Sequence, residues 1–86
     1  MKLKDGFVLK EIAGECVVVA VDSSLNLDGM ITLNPTAKTI WRALEHGAER
    51  EHLILALTSE YDVSDDVAGV AVDSFISKLR ELDFLA

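Results

Sequence analysis

The side chains that could do chemistry in this chain are few and poorly placed for it. His46 and His52 have neither a cysteine partner nor the H-x-x-x-H spacing that sets two imidazoles on one helical face for zinc, so they read as solvated or capping groups. Ser23, Ser24, Thr36, Thr39 and Thr58 have no His–Asp companions, and the chain contains neither a G-x-S-x-G elbow nor a glycine-rich phosphate loop. Asp65 and Asp66 could in principle share acid–base work, but they follow Ser64 at the head of an apolar-periodic segment. There, two carboxylates complement the positive end of a helix. Cys16 is the one cysteine; it cannot close an internal disulfide, and its β-branched neighbours mark it as a small buried residue without a redox role. No enzyme, no metal and no cofactor is expected from these residues.

A chain without a catalytic constellation can still act through its backbone, and the stretch "DGMITLNPTAKTIW", residues 28 to 41, invites that reading. A short apolar strand runs straight into a proline-started helix. Residues 29 to 33 contain no charge and no proline, the two devices that normally blunt an exposed sheet edge. An edge left able to pair is plausibly an edge that is used. A guest strand of about five residues would make on the order of four backbone hydrogen bonds at roughly 1 kcal/mol net each. That supports only about millimolar binding, so side-chain pockets beside the strand must add to it.

The elements that would position such an edge follow from pattern. "FVLKEIAGECVVVAVDSS" holds two β-branched runs around Ala13-Gly14, which predicts a hairpin of strands at 7–12 and 15–21. "DSSLNLDG" is a polar connection, and "MITL" predicts a third strand at 30–33. Asn34-Pro35 is a strong helix start, because Asn accepts from a free N–H of the first turn and Pro has none to satisfy. The first helix is expected over 35–46, burying Ala37, Ile40, Trp41 and Leu44 and stopping at Gly47. The second, over about 50–60, buries Leu53, Ile54, Ala56 and Leu57, leaves Leu55 outside the stripe, and starts on Glu49, a poor cap. The third opens at Ser64, and Val67, Ala68, Ala71, Val72, Phe75, Ile76, Leu79 and Leu82 form an apolar arc wider than one neighbour requires. Part of that arc, at Val67, Ala71 and Phe75, with Ser74 and Lys78 beside it, is the candidate side-chain flank of the strand edge. "DFLA" is expected to fold back on the core.

Composition narrows the class. Eighty-six residues make one domain spanning 1–86, half of them apolar and 27% charged, which suits a packed core. The longest apolar run, Cys16 to Val21, is far short of a membrane span, and "MKLKDGF" has no signal-peptide core, so a cytoplasmic protein with no membrane partner is expected. Fifteen acidic against eight basic residues give a net charge of −7, which repels phosphate backbones. The β-β-β-α-α-α order is that of an α+β, winged helix-turn-helix-like fold, with a three-stranded antiparallel sheet followed by three helices. A DNA-binding version, the alternative reading as a transcription regulator, would present Arg, Lys, Asn or Gln from the third helix. This helix offers Lys78 and Arg80 against Asp65, Asp66, Asp73 and Glu81, and nucleic acid is not expected as a partner.

The ordered set "DGFVLKEIAGECVVV", "GMITLNPTAKTIW", "EYDVS" and "VDSFISKLRELDFL" covers nearly the whole chain and resembles the PqqD-like proteins, peptide-recognition elements of natural-product biosynthesis. The resemblance implies a non-catalytic domain that binds the leader segment of a ribosomally made precursor peptide as an added strand beside the third strand. It also implies packing of that leader against the third helix and delivery to a modifying enzyme, commonly a radical S-adenosylmethionine enzyme. The residues it points to are Gly29, Met30, Ile31, Thr32, Leu33, Val67, Ala71, Ser74, Phe75 and Lys78. Two departures stand out: Ala71 where many members carry an acidic residue, and Glu49 where a Thr or Ser cap is common.

Overall fold

Ala13 and Gly14 both take positive φ, 53° and 83°, as the two-residue turn of a right-twisted hairpin requires. The turn joins β1, Phe7–Ile12, to β2, Glu15–Ala20, in the computed structural model, which describes residues 1–20 and 31–86. β3, Ile31–Leu33, lies antiparallel on the far side of β2, so the sheet order is β1-β2-β3. Val21 and Met30, expected at the ends of the second and third strands, lie outside the described residues, as do Ser23 and Ser24.

Asn34 starts α1, Pro35–Glu45, by accepting the Ala37 N–H at 2.8 Å, with Pro35 in the first turn. The helix ends one residue earlier than the pattern suggested, because His46 turns its N–H to the Ala43 carbonyl and Gly47 closes the turn at φ 81°. α2, Arg50–Glu60, starts at Glu49, which donates its own N–H to His52 Nδ1 at 3.3 Å in a capping box, so the start is better held than its sequence implied and His52 has a capping role. α3, Asp65–Glu81, is capped by Ser64, whose hydroxyl accepts the Val67 N–H at 3.2 Å, with Asp65 and Asp66 in the first turn. Asp83, at φ 61°, lets the chain reverse so that Phe84 enters the core and Leu85 pairs with Leu3.

One face of the sheet packs on the helices. Val18, Ile40, Trp41, Leu44, Leu53, Leu57, Val72 and Leu79 are almost wholly buried there, and Phe7 and Phe84 stack at 4.1 Å beside the Trp41 indole. Several sequence expectations shift in degree. Ile54, Ala56 and Cys16 are half-buried, because the first two flank the α2 stripe and Cys16 lies near the hairpin end of the sheet. Leu82 is 37% exposed, since it caps α3 and the turn behind it gives its place in the core to Phe84. Leu55, at 62% exposure, projects to solvent as its position in the pattern implied. Among the described residues no helix is long and apolar enough to cross a membrane.

Candidate functional site

The hairpin fixes which backbone groups the sheet leaves free. In a two-residue hairpin the pair next to the turn exchanges both its hydrogen bonds, and such pairs alternate along the ladder with pairs that exchange none. With Ile12 opposite Glu15, the bonded pairs continue at Lys10–Val17 and Val8–Val19. Cys16 and Val18 therefore turn their N–H and C=O groups away from β1 and toward β3, where they face Leu33 and Ile31. Ile31 and Leu33 are thus committed to β2, and Thr32 is the described β3 residue whose donor and acceptor point off the open edge. The same pairing places side chains. Ile31 and Leu33 face the helices with Val18 and Cys16, while Thr32 faces the opposite side of the sheet with Val17.

Beside that edge runs an open groove of about 290 Å³ between β3 and α3. One wall is Ile31, Thr32 and Leu33; the other is Ala71, Ser74, Phe75 and Lys78, which recur at three- and four-residue intervals and so share one face of α3. Its floor is the start of α1, with Asn34, Thr36, Ala37 and Ile40. The Asn34 cap also receives the Thr36 hydroxyl at 3.0 Å, which holds the strand-to-helix corner and sets the floor against the wall. Lys78 is exposed on the rim and takes part in no ion pair among the described residues.

Most of the residues singled out from sequence meet in this groove. Val67 does not line it; it stands one turn before Ala71 on the same side of α3, 57% exposed, with Val70 at 67% beside it. Gly29 and Met30 lie outside the described residues. Sequence reasoning assigned Ala37 and Ile40 wholly to the core and passed over Asn34 and Thr36 as site residues. The signal was present in the spacing, because Ala37 and Ile40 continue on the helix the face that Leu33 begins on the strand.

On the other side of Leu33 and Asn34 lies a wider basin, where charged groups satisfy one another. Lys38 Nζ meets Glu11 Oε1 at 2.7 Å, and Thr39 donates its hydroxyl to Glu60 Oε2 at 2.6 Å. The Lys38 ammonium, through that hydrogen bond, holds the Glu11 carboxyl below its ordinary range, and Glu11 raises Lys38 in return. On the outer side of α3, Arg50 forks onto Asp73 at 2.8 and 3.0 Å and lowers the Asp73 carboxyl. The outward face of α3 thus offers bound charge and acidic side chains, a poor surface for a phosphate backbone. Among the described residues no three His, Cys, Asp or Glu side chains gather where they could hold a metal.

Comparison with known proteins returns one family and two solved structures. The family model for coenzyme PQQ synthesis protein D, PqqD, matches residues 7–85. The fold is similar to the structure described as TbiB1 in complex with the TbiA(beta) leader peptide. The two are 25% identical, over 99% of this chain and 94% of that chain, with a TM-score of 0.77. A second similar structure, lasso peptide synthetase B1 complexed with the leader peptide, is 24% identical over 93% of this chain and 89% of that one. Its TM-score is 0.71, and it speaks for the fold. No curated protein matches the sequence.

Proposed function

The chain belongs to the PqqD family, and from that premise we propose that it binds the leader segment of a ribosomally synthesised precursor peptide and presents it to a modifying enzyme. The observation that carries the reading is the β3 edge: uncharged and proline-free, it offers the Thr32 backbone pair directly beside a groove with apolar surface from Leu33, Ile40, Ala71 and Phe75. The similarity to a protein solved with a leader peptide supports the choice of guest. The leader lies along β3 as a fourth strand, contacting Ile31, Thr32 and Leu33 on one side and Ala71, Ser74, Phe75 and Lys78 on the other. Val67, one turn before Ala71 on the same side of α3, extends the same track.

The energetics place the burden on side chains. Thr32 supplies two backbone hydrogen bonds, about 2 kcal/mol net, fewer than the four a five-residue strand would make in full register. Even millimolar binding needs about 4.1 kcal/mol. Apolar side chains buried in the groove, at about 1.5–3 kcal/mol each, must carry the larger share. The domain then works as an adaptor with no bond-making step of its own, and the enzyme it serves is of the radical S-adenosylmethionine class, as in much of the family.

Titration of the isotope-labelled chain with the leader of a precursor peptide encoded beside it tests the proposal. Amide shifts are expected to concentrate in residues 31–33 and 71–78. Shifts confined to α2, or none, would overturn it.

A further inference from the structure

The helices take one face of the sheet, and the other face is not the polar surface that an antiparallel sheet of this kind normally shows to water. Register decides which side chains lie there. Thr32 is on the outer face with Val17, and Val17 stands opposite Lys10. The outer face of the hairpin therefore carries Val8, Lys10 and Ile12 from β1 and Glu15, Val17 and Val19 from β2. Four of these six are apolar, and Ile12 is 54% exposed and Val8 39%. Val17, Val18 and Val19 in succession give β2 apolar side chains on both faces, the pattern of a strand covered on both sides. We infer that a second copy of this chain supplies the outer cover, docking on the hairpin about a twofold axis.

The charges choose the occupant. Lys10 and Glu15 are the only charged residues on this face of the hairpin; both are exposed, and neither takes part in an ion pair among the described residues. Lys10 faces Val17, and the next outer pair toward the turn is Ile12 facing Glu15. These four positions form a near-rectangle, about 7 Å along the strands and about 5 Å across them. The two charges occupy one diagonal, and Ile12 and Val17 occupy the other. Charged corners about 8 Å apart do not meet within the chain. A twofold axis laid along the apolar diagonal turns the face onto a copy of itself. It sets Ile12 against Ile12 and Val17 against Val17, and it carries each Lys10 over the other copy's Glu15. An isologous interface needs a surface that is its own complement, and this arrangement is one. A purely basic or purely acidic partner would leave one of the two charges opposed by its like. Elsewhere the net charge of −7 pushes copies apart, whereas on this face the charges cancel.

The extent of the face sets the strength. Two six-residue strands span about 20 Å by 10 Å, so the contact buries less than the roughly 1,200 Å² of a stable complex and the pair is a weak one. The groove between β3 and α3 lies on the helix side of the sheet and stays open in the pair. The inference does not depend on what that groove binds.

Sedimentation equilibrium of the full chain from about 10 μM to about 1 mM measures the association, expected to be half complete at about 0.1–1 mM. Amide shifts of the labelled chain should move with concentration within residues 8–19 and stay fixed in α2 and α3. Reversing either charge, Lys10→Glu or Glu15→Lys, should weaken self-association about tenfold or more. Glu15→Lys is the sharper case, since it brings each copy's net charge closer to zero and would favour association if overall repulsion were all that mattered. An equimolar mixture of the two variants should associate as the parent does, because the reversed charge of each then meets its opposite on the other. A chain that stays monomeric at the highest concentration, variants that self-associate like the parent, or a mixture as weak as its components would each overturn the twofold pairing. Concentration-dependent shifts centred on the exposed Val67 and Val70 would move the contact to α3 and overturn it as well.

Discussion

Among the described residues the sheet has two unpaired edges, and by backbone alone β1 offers more than the β3 edge proposed for the leader. β1 turns Phe7, Leu9 and Glu11 outward, three residues with free donors and acceptors, whereas the described part of β3 turns out only Thr32. Yet β1 carries Lys10 and Glu11, the charges that discourage a stranger strand, and Glu11 is tied down to Lys38. Beside β1, the Lys2–Gly6 arm passes close to Phe7 and Trp41, and the cavity there is small and polar. Beside β3 lies a groove with a helix wall, where Ile31, Leu33, Ala71 and Phe75 are interleaved with polar side chains. On the proposed function, hydrogen-bonding capacity does not choose the edge; the side chains next to it do, because net hydrogen bonds are weak and buried apolar surface is not.

Proline substitutions at the two edges give the largest contrast. Ile31→Pro removes a donor committed to β2 and a half-buried side chain, and should cost about 2–5 kcal/mol in urea unfolding. Thr32→Pro removes a donor that faces outward, so it should stay folded and lose the leader peptide. Glu11→Pro, at an outward position of the other edge, should stay folded and keep the peptide. Peptide binding lost in Glu11→Pro and kept in Thr32→Pro, by fluorescence anisotropy, would reverse the assignment of edges.

A smaller effect tests the groove wall. Ala71→Asp sets a charge against the apolar guest side chains and should weaken leader binding by about 1–3 kcal/mol without unfolding α3, since Ala71 is only half-buried. The matching change on the β1 side, Val8→Asp, is on an exposed position of the outer face and should leave binding as it was. Equal losses from both substitutions would mean that the leader is held by something other than the groove.

The smallest effect concerns the ion pair that closes the hairpin end of β1. Lys38 holds the Glu11 carboxyl below its ordinary value, so the pair's contribution to stability is present above the usual carboxylate range and fades as pH falls through the lowered value. Glu11 is largely exposed and Lys38 partly so, and the effect is modest. Glu11→Gln should therefore melt slightly below the parent at neutral pH and converge with it in acid. A difference between the two that grows in acid would show that Glu11 opposes the fold.

The sequence alone determined every element and its order, because the signals were local and strong. Ala13-Gly14 between β-branched runs, Asn34 before Pro35, and Ser64 before two aspartates each have a mechanism that acts within a few residues. It also marked the third strand as unblunted and the Ala71, Ser74, Phe75 and Lys78 face as its partner, the latter from helical spacing and family resemblance. What it could not supply was the parity of the edge. Whether Ile31 or Thr32 points outward depends on hydrogen bonds counted from the turn at Ala13-Gly14 across β2, a phase carried through a neighbouring strand and absent from the strand's own residues. Nor could it tell that Ala37 and Ile40 are floor as well as core, since apolar periodicity reads the same whether a face meets its own domain or a vacant groove. Only the packing of α1 and α3 around β3 decides that, because a groove belongs to the distance between elements and not to any one of them.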